Sequence, residues 1–228
     1  MIGRLFKFII GVALVPACAV STLTLVRLIC SLQPETDSIF PAAGLAMAAG
    51  FGLWLLVFLF LPRTARTYVL AHELTHALWG SLMGARIHRI HVARDAGSVT
   101  LSKTNFLITL APYFFPLYTA LVVAIYFVSS FFTDVERYYL LWLGLVGLTW
   151  GFHITFTITT LMQHQSDIRE GGHLFSYTVI YLFNVLGITL WIVLVSAATL
   201  SELLGFLAYD SRVVISFLWN NLKWLMSR

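Results

Sequence analysis

The chain has 228 residues, of which 59% are hydrophobic and 11% charged. Soluble domains carry about a quarter charged residues, so this composition excludes an ordinary soluble domain and describes an integral membrane protein. The net charge is +4, and the 14 Lys and Arg residues are scattered between apolar blocks, which reads as interface anchoring. No basic run adjoins a stacking motif, so a nucleic-acid partner is not expected.

The expected fold is an all-α polytopic membrane protein with about six transmembrane helices, drawn with a window of about 20 residues. The first apolar block is 8–29, preceded by Arg4 and Lys7. Its start has the look of a signal sequence, and Val15-Pro16-Ala17-Cys18 is similar to a lipoprotein cleavage box. Apolar character continues to Cys30, well past the roughly 7–15 residues of a secretory core, so an uncleaved first span is expected. Cys18 and Cys30 share that block and read as packing residues, not as a disulfide. A polar turn with Pro34, Glu35 and Asp37 leads to a second span at 41–61, closed by Pro62-Arg63. The third span, 65–83, contains His72-Glu73-Leu74-Thr75-His76.

Residues 86–104 are polar and hold two short alternating runs, 90–92 and 99–101, around the turn composition Arg94-Asp95-Ala96-Gly97. This predicts a small reentrant or interfacial β-hairpin. The fourth span is 106–131, irregular at its start because of Pro112 and Pro116. The fifth is 138–163 and the sixth 174–198. In the tail, 212–228, the polar residues Ser216, Asn220, Lys223 and Ser227 recur at spacings of 4, 3 and 4, with Trp219 and Trp224 placed as headgroup anchors. That is the pattern of an interfacial amphipathic helix, and equally of a last helix packed on the bundle. The whole chain, 1–228, reads as one membrane-embedded domain: two N-terminal spans in 1–62, a core in 63–181, and the end of the last span with the tail in 182–228.

The H-E-x-x-H box carries the chemistry. Positions i and i+4 share a helical face, so His72 and His76 can grip one metal ion, while Glu73 lies about 100° around the helix within reach of a water on that metal. In a chain of this composition a chance occurrence has a probability of about half a percent, and three ionisable groups in a membrane helix demand a reason. Gly80 and Gly84 continue the row and would admit a close neighbour.

A catalytic zinc usually has three protein ligands and a water. His88 and His91 fall in the hairpin and read as interface residues. The fifth span carries a polar row, Thr149, His153, Thr157, Thr160, His164 and Asp167, at spacings of 4, 4, 3, 4 and 3. This is one helical face turned inward and ending in a carboxylate. Its threonines read as makers of interhelical hydrogen bonds, and His153 as a satisfied core histidine in preference to a proton or oxyanion partner. Asp167 reads as the third ligand.

With these residues the chain resembles the site-2 protease family of intramembrane zinc metalloproteases, particularly its compact bacterial members. The likeness rests on the box with Gly80 and Gly84 after it, on the hairpin at 87–102, similar to the family's membrane-reentrant β element, and on a carboxylate near Gly171-Gly172; it covers 68–181. The family's second motif commonly reads Leu-Asp-Gly-Gly with Asn and Pro upstream. Here Arg169-Glu170-Gly171-Gly172 aligns with it, Asp167 lies one turn earlier, and the Asn-Pro part is missing. Either Asp167 or Glu170 can be the ligand, with Asp167 preferred because it continues the inward stripe.

The resemblance implies a zinc metalloendopeptidase of a bacterial cell membrane. Zn2+ held by His72, His76 and Asp167 would polarise the scissile carbonyl and acidify a water. Glu73 would be the catalytic base, and the substrate a transmembrane segment of another protein. Basic residues divide eight to five in favour of an N-terminus inside, whereas the family implies the opposite orientation. The alternatives are a catalytically idle metal-binding scaffold, a different membrane metalloprotease using Glu136 as third ligand, and a transporter. The absence of an internal repeat speaks against the last.

Overall fold

The computed structural model describes residues 2–32, 40–61, 65–93, 96–163 and 165–227. The expected turn residues Pro34, Glu35, Asp37, Pro62, Arg63, Arg94 and Asp95, together with His164, lie outside them. Of the described residues 81% are helical, and they include a two-stranded antiparallel sheet. In chain order the elements are α1 (Ile2–Ser31), α2 (Phe40–Phe60), α3 (Ala65–Leu82), β1 (Ile87–Val92), β2 (Gly97–Leu101), α4 (Phe106–Phe114) and α5 (Leu117–Ser130). A 3-10 turn (Glu136–Tyr138) follows, then α6 (Tyr139–Leu161), α7 (Ser166–Gly171), α8 (His173–Val195) and α9 (Leu200–Met226).

Among the described residues, four helices (α1, α2, α6 and α8) are long and apolar enough to cross a membrane; α4 and α5, bent by 76° at their junction, make a fifth if they form one span. Their large apolar side chains face outward, as at Leu45, Leu59 and Phe60 of α2, which suits lipid as the surrounding medium. The box helix α3, carrying Arg66, His72, Glu73 and His76, is 18 residues long and does not belong to this set.

The chain divides into two compact units, 36–167 and 1–35 with 168–228. In the first, α2 and α6 approach to backbone contact: a Cβ on Gly50 would fall on the Gly144 carbonyl, and one on Gly147 on the Met47 carbonyl. Small residues permit that approach, and the close-packed surfaces substitute for a hydrophobic drive that lipid does not supply. Trp54 Nε1 donates to Thr155 Oγ1 at 2.9 Å across the same pair. Helix α3 packs on α4, the hairpin and α5. It ends at Gly84, whose φ of +72° is the left-handed conformation glycine tolerates best. Gly84 N–H donates to the Ser81 carbonyl and Ala85 N–H to the Gly80 carbonyl, at 2.9 and 2.8 Å, the paired bonds of a Schellman stop. Gly84 therefore turns the chain into the hairpin and is not a packing glycine. Gly80 does admit a neighbour: Leu101 of β2 lies where its Cβ would be.

In the other unit α1 packs on α8 and α9. Thr24 Oγ1 and Arg27 both hydrogen-bond the carboxylate of Asp210, with Arg27 Nη2 2.8 Å from Oδ1, and Asp210 is fully buried. The two cysteines are free; Cys18 Sγ faces the Thr178 carbonyl. The tail helix differs from the expectation. It begins at Leu200, twelve residues before the amphipathic pattern, because Thr199 and Glu202 form a reciprocal capping box. Its first half meets α1 through Leu203 and Asp210, and the side chains of 215–227 are exposed.

Candidate metal centre

His72 and His76 sit one turn apart on α3, and their Nε2 atoms are 3.2 Å from each other. Asp167 Oδ2 lies 3.5 Å from His72 Nε2 and 3.6 Å from His76 Nε2. Tetrahedral ligands at about 2.0–2.1 Å from a zinc ion are separated by about 3.3–3.4 Å, so the three side chains fit that ion without rearrangement. They are the one His/Cys/Asp/Glu group of metal-holding geometry among the described residues. Glu136 stands exposed on the 3-10 turn, and Glu170 is exposed in α7, where its backbone carbonyl accepts from Lys7. His88 and His91 are exposed on β1.

Asp167 arrives by a different route from the one its spacing suggests. The continuous helical face expected from Thr149 to Asp167 is broken: α6 ends at Leu161, where Met162 and Gln163 turn back onto the Ile158 and Thr160 carbonyls. Asp167 stands in the first turn of the separate helix α7. Of the described stripe residues, His153, Thr157 and Thr160 are buried. Thr149 accepts from Thr119 at 3.1 Å, the hydrogen-bonding role expected of it, whereas Thr157 Oγ1 is buried with no hydrogen-bond partner among the described residues.

Each ligand is held from behind. His76 Nδ1 is 2.8 Å from the Ile108 carbonyl. A carbonyl only accepts, so Nδ1 carries the proton and the Nε2 lone pair is free for a metal. Tyr68 Oη is 3.3 Å from His72 Nδ1, with its ring stacked on Phe156 of α6 at 4.9 Å. Tyr113, fully buried in α4, donates to Asp167 Oδ2 at 3.0 Å and sets its ring edge-on to His72 at 5.3 Å. Burial works to raise the Asp167 carboxyl, but the His72 and His76 imidazoles, 3.5 and 3.6 Å away, outweigh it and hold the group below the ordinary carboxylate range. That favours the ionised form a metal needs. Behind His72, a cavity of about 20 Å³ between Tyr68, Thr75, Thr149 and His153 has room for about one water.

Glu73, the next residue on α3, is 7% exposed. Its carboxylate lies under the first residue of β2, where a Cβ on Gly97 would be 2.7 Å from Glu73 Oε1. Tyr68, Ile108, Tyr113 and Gly97 are the contributors that the sequence did not reveal. Only Pro112, read there as an irregularity, hinted at them. Comparison with family models, curated proteins and solved structures finds no match to this chain.

Proposed function

We propose that this chain is a membrane-embedded metallopeptidase of the kind the sequence resembles, a zinc enzyme that hydrolyses peptide bonds in or near transmembrane segments of other proteins. One observation carries the reading: two imidazole nitrogens and a carboxylate oxygen at mutual distances of 3.2, 3.5 and 3.6 Å, beside a buried glutamate one residue along from the first histidine.

His72, His76 and Asp167 would hold the ion, with the Ile108 carbonyl and Tyr68 keeping the two imidazoles oriented. When bound, a zinc ion polarises the scissile carbonyl and acidifies water near neutral pH. Glu73 takes a proton from the attacking water as the oxygen adds to the carbonyl carbon, then delivers it to the leaving amine nitrogen as the C–N bond breaks. The hairpin lying over Glu73 limits bulk water around that carboxylate, which strengthens its electrostatic action.

The test compares four purified full-length variants for bound zinc and for cleavage of a reconstituted membrane-protein substrate. Glu73→Gln should keep its metal and lose cleavage, by at least about 10²-fold for loss of a general base. Asp167→Ala should lose stoichiometric zinc, while Glu170→Ala and Glu136→Ala keep it. Undiminished cleavage by Glu73→Gln would leave a catalytic role for the box untenable. Zinc retained by Asp167→Ala but lost from Glu170→Ala would move the third ligand.

A further inference from the structure

Residues 112 and 113, neighbours in the short helix α4, each act on one ligand of the metal centre, and together they brace two of the three. In an α-helix the carbonyl of Ile108 would accept from the N–H four residues on. That residue is Pro112, which has no N–H. The Ile108 carbonyl is thus released from the helical ladder, and the atom that takes it is His76 Nδ1, at 2.8 Å. A proline inside a nine-residue helix is otherwise a defect, since it removes a ladder hydrogen bond and crowds the preceding turn. Here it creates an acceptor at the depth and angle a ligand imidazole requires. The next residue, Tyr113, donates its hydroxyl to Asp167 Oδ2, the oxygen that also faces both histidines. The remainder of α4 is built to keep these two groups still. Asn105 caps its start by accepting from Ile108 N–H at 3.0 Å, and Ile108, Leu110, Ala111 and Tyr113 are at most 1% exposed.

We propose that Pro112 and Tyr113 are positioning residues for the metal ligands: Pro112 by freeing the Ile108 carbonyl to orient His76, and Tyr113 by selecting the oxygen that Asp167 presents. The proposal rests on the metal-centre reading above but is measured without any cleavage assay. Full-length wild type, Pro112→Ala and Tyr113→Phe are purified in detergent. Each is titrated with cobalt(II) and zinc against a competing chelator, and thermal unfolding of the metal-free form is recorded alongside.

Alanine is the better helix former, so Pro112→Ala should unfold at the same or a higher temperature. It should nevertheless bind metal about tenfold more weakly, because the restored N–H competes for the Ile108 carbonyl. A residue with only a structural role would not split the two readouts in that way. Tyr113→Phe should weaken binding by about 10–100-fold and alter the cobalt absorption bands. Combining Tyr113→Phe with Asp167→Asn should add little further loss, since the hydroxyl acts through that carboxylate. Affinities within about twofold of wild type in both single variants overturn the assignment. A wild type that takes up no stoichiometric metal overturns it together with the metal-centre reading. Metal uptake without peptide cleavage counts against the peptidase reading alone. If Tyr113→Phe does not fold, Pro112→Ala decides the matter by itself.

Discussion

Gly97 lacks a side chain where Glu73 needs the room. A Cβ there would lie 2.5 Å from Glu73 Cγ and 2.7 Å from both Glu73 Oε1 and Val69 Cγ1, so Gly97→Ala must displace the Glu73 side chain or the start of β2. On the peptidase reading proposed above, that variant keeps its metal, since none of the three ligands moves, and loses about 10²-fold in turnover from a displacement on the order of 1 Å. Zinc content and initial rate measured on the same preparation check this. A full rate in Gly97→Ala would show that the hairpin's seat on Glu73 is irrelevant to catalysis. At this scale the sequence is legible where chemistry is local. His72, Glu73 and His76 lie within five positions, and one helical turn brings the two imidazoles together. It is illegible where partners are distant. His76 and Ile108 are 32 positions apart, Tyr113 and Asp167 54, and no periodicity links such pairs. Asp167 was reached through a helical face that in fact breaks after Leu161. Asp167 nonetheless lies beside both imidazoles, 3.5 and 3.6 Å from their Nε2 atoms.

Elements were the easiest thing to read. A window of about 20 apolar residues is forced by bilayer thickness, and α1, α2, α6 and α8 all fall on such windows. The hairpin was legible from alternation, and β1 and β2 extend the two expected runs. Gly80 and Gly84 looked alike on a helical wheel and proved different, because a helix stop is a backbone matter that face geometry does not register. The start of α9 has its own sequence signal, separate from the amphipathic stretch beyond it: Thr199 and Glu202 have capping-box spacing. That box carries a pH dependence. The Glu202 carboxyl is held below its ordinary value of 4.5 by the Thr199 backbone N–H and then the Thr199 hydroxyl. A carboxyl depressed in the folded state stabilises fully above its ordinary value, and the contribution is lost as pH falls through the folded-state value. Amide protection at 200–203 should therefore drop on acidification from pH ~6 to ~3, and Glu202→Gln should remove that dependence. Protection factors that stay level across the range would rule the effect out.

For the molecule as a whole, the Arg27–Asp210 pair has a consequence in time. Arg27 belongs to an apolar helix, and its acidic partner is 183 positions further along the chain. A cation in such a helix is costly until it is paired. Asp210, at 0% exposure, would be costlier still without Arg27. During synthesis Arg27 is therefore in place long before Asp210, the carboxylate that pairs it, has been made. A chain halted before Asp210 should be turned over faster in the membrane than the full chain, as pulse-chase decay would reveal, and Arg27→Leu in the halted chain should restore its lifetime. Equal lifetimes for the halted chain with and without Arg27 would refute this. Arg27 is thus a charge whose partner is made 183 residues later, so any piece of this chain that stops short of residue 210 carries that cation unanswered.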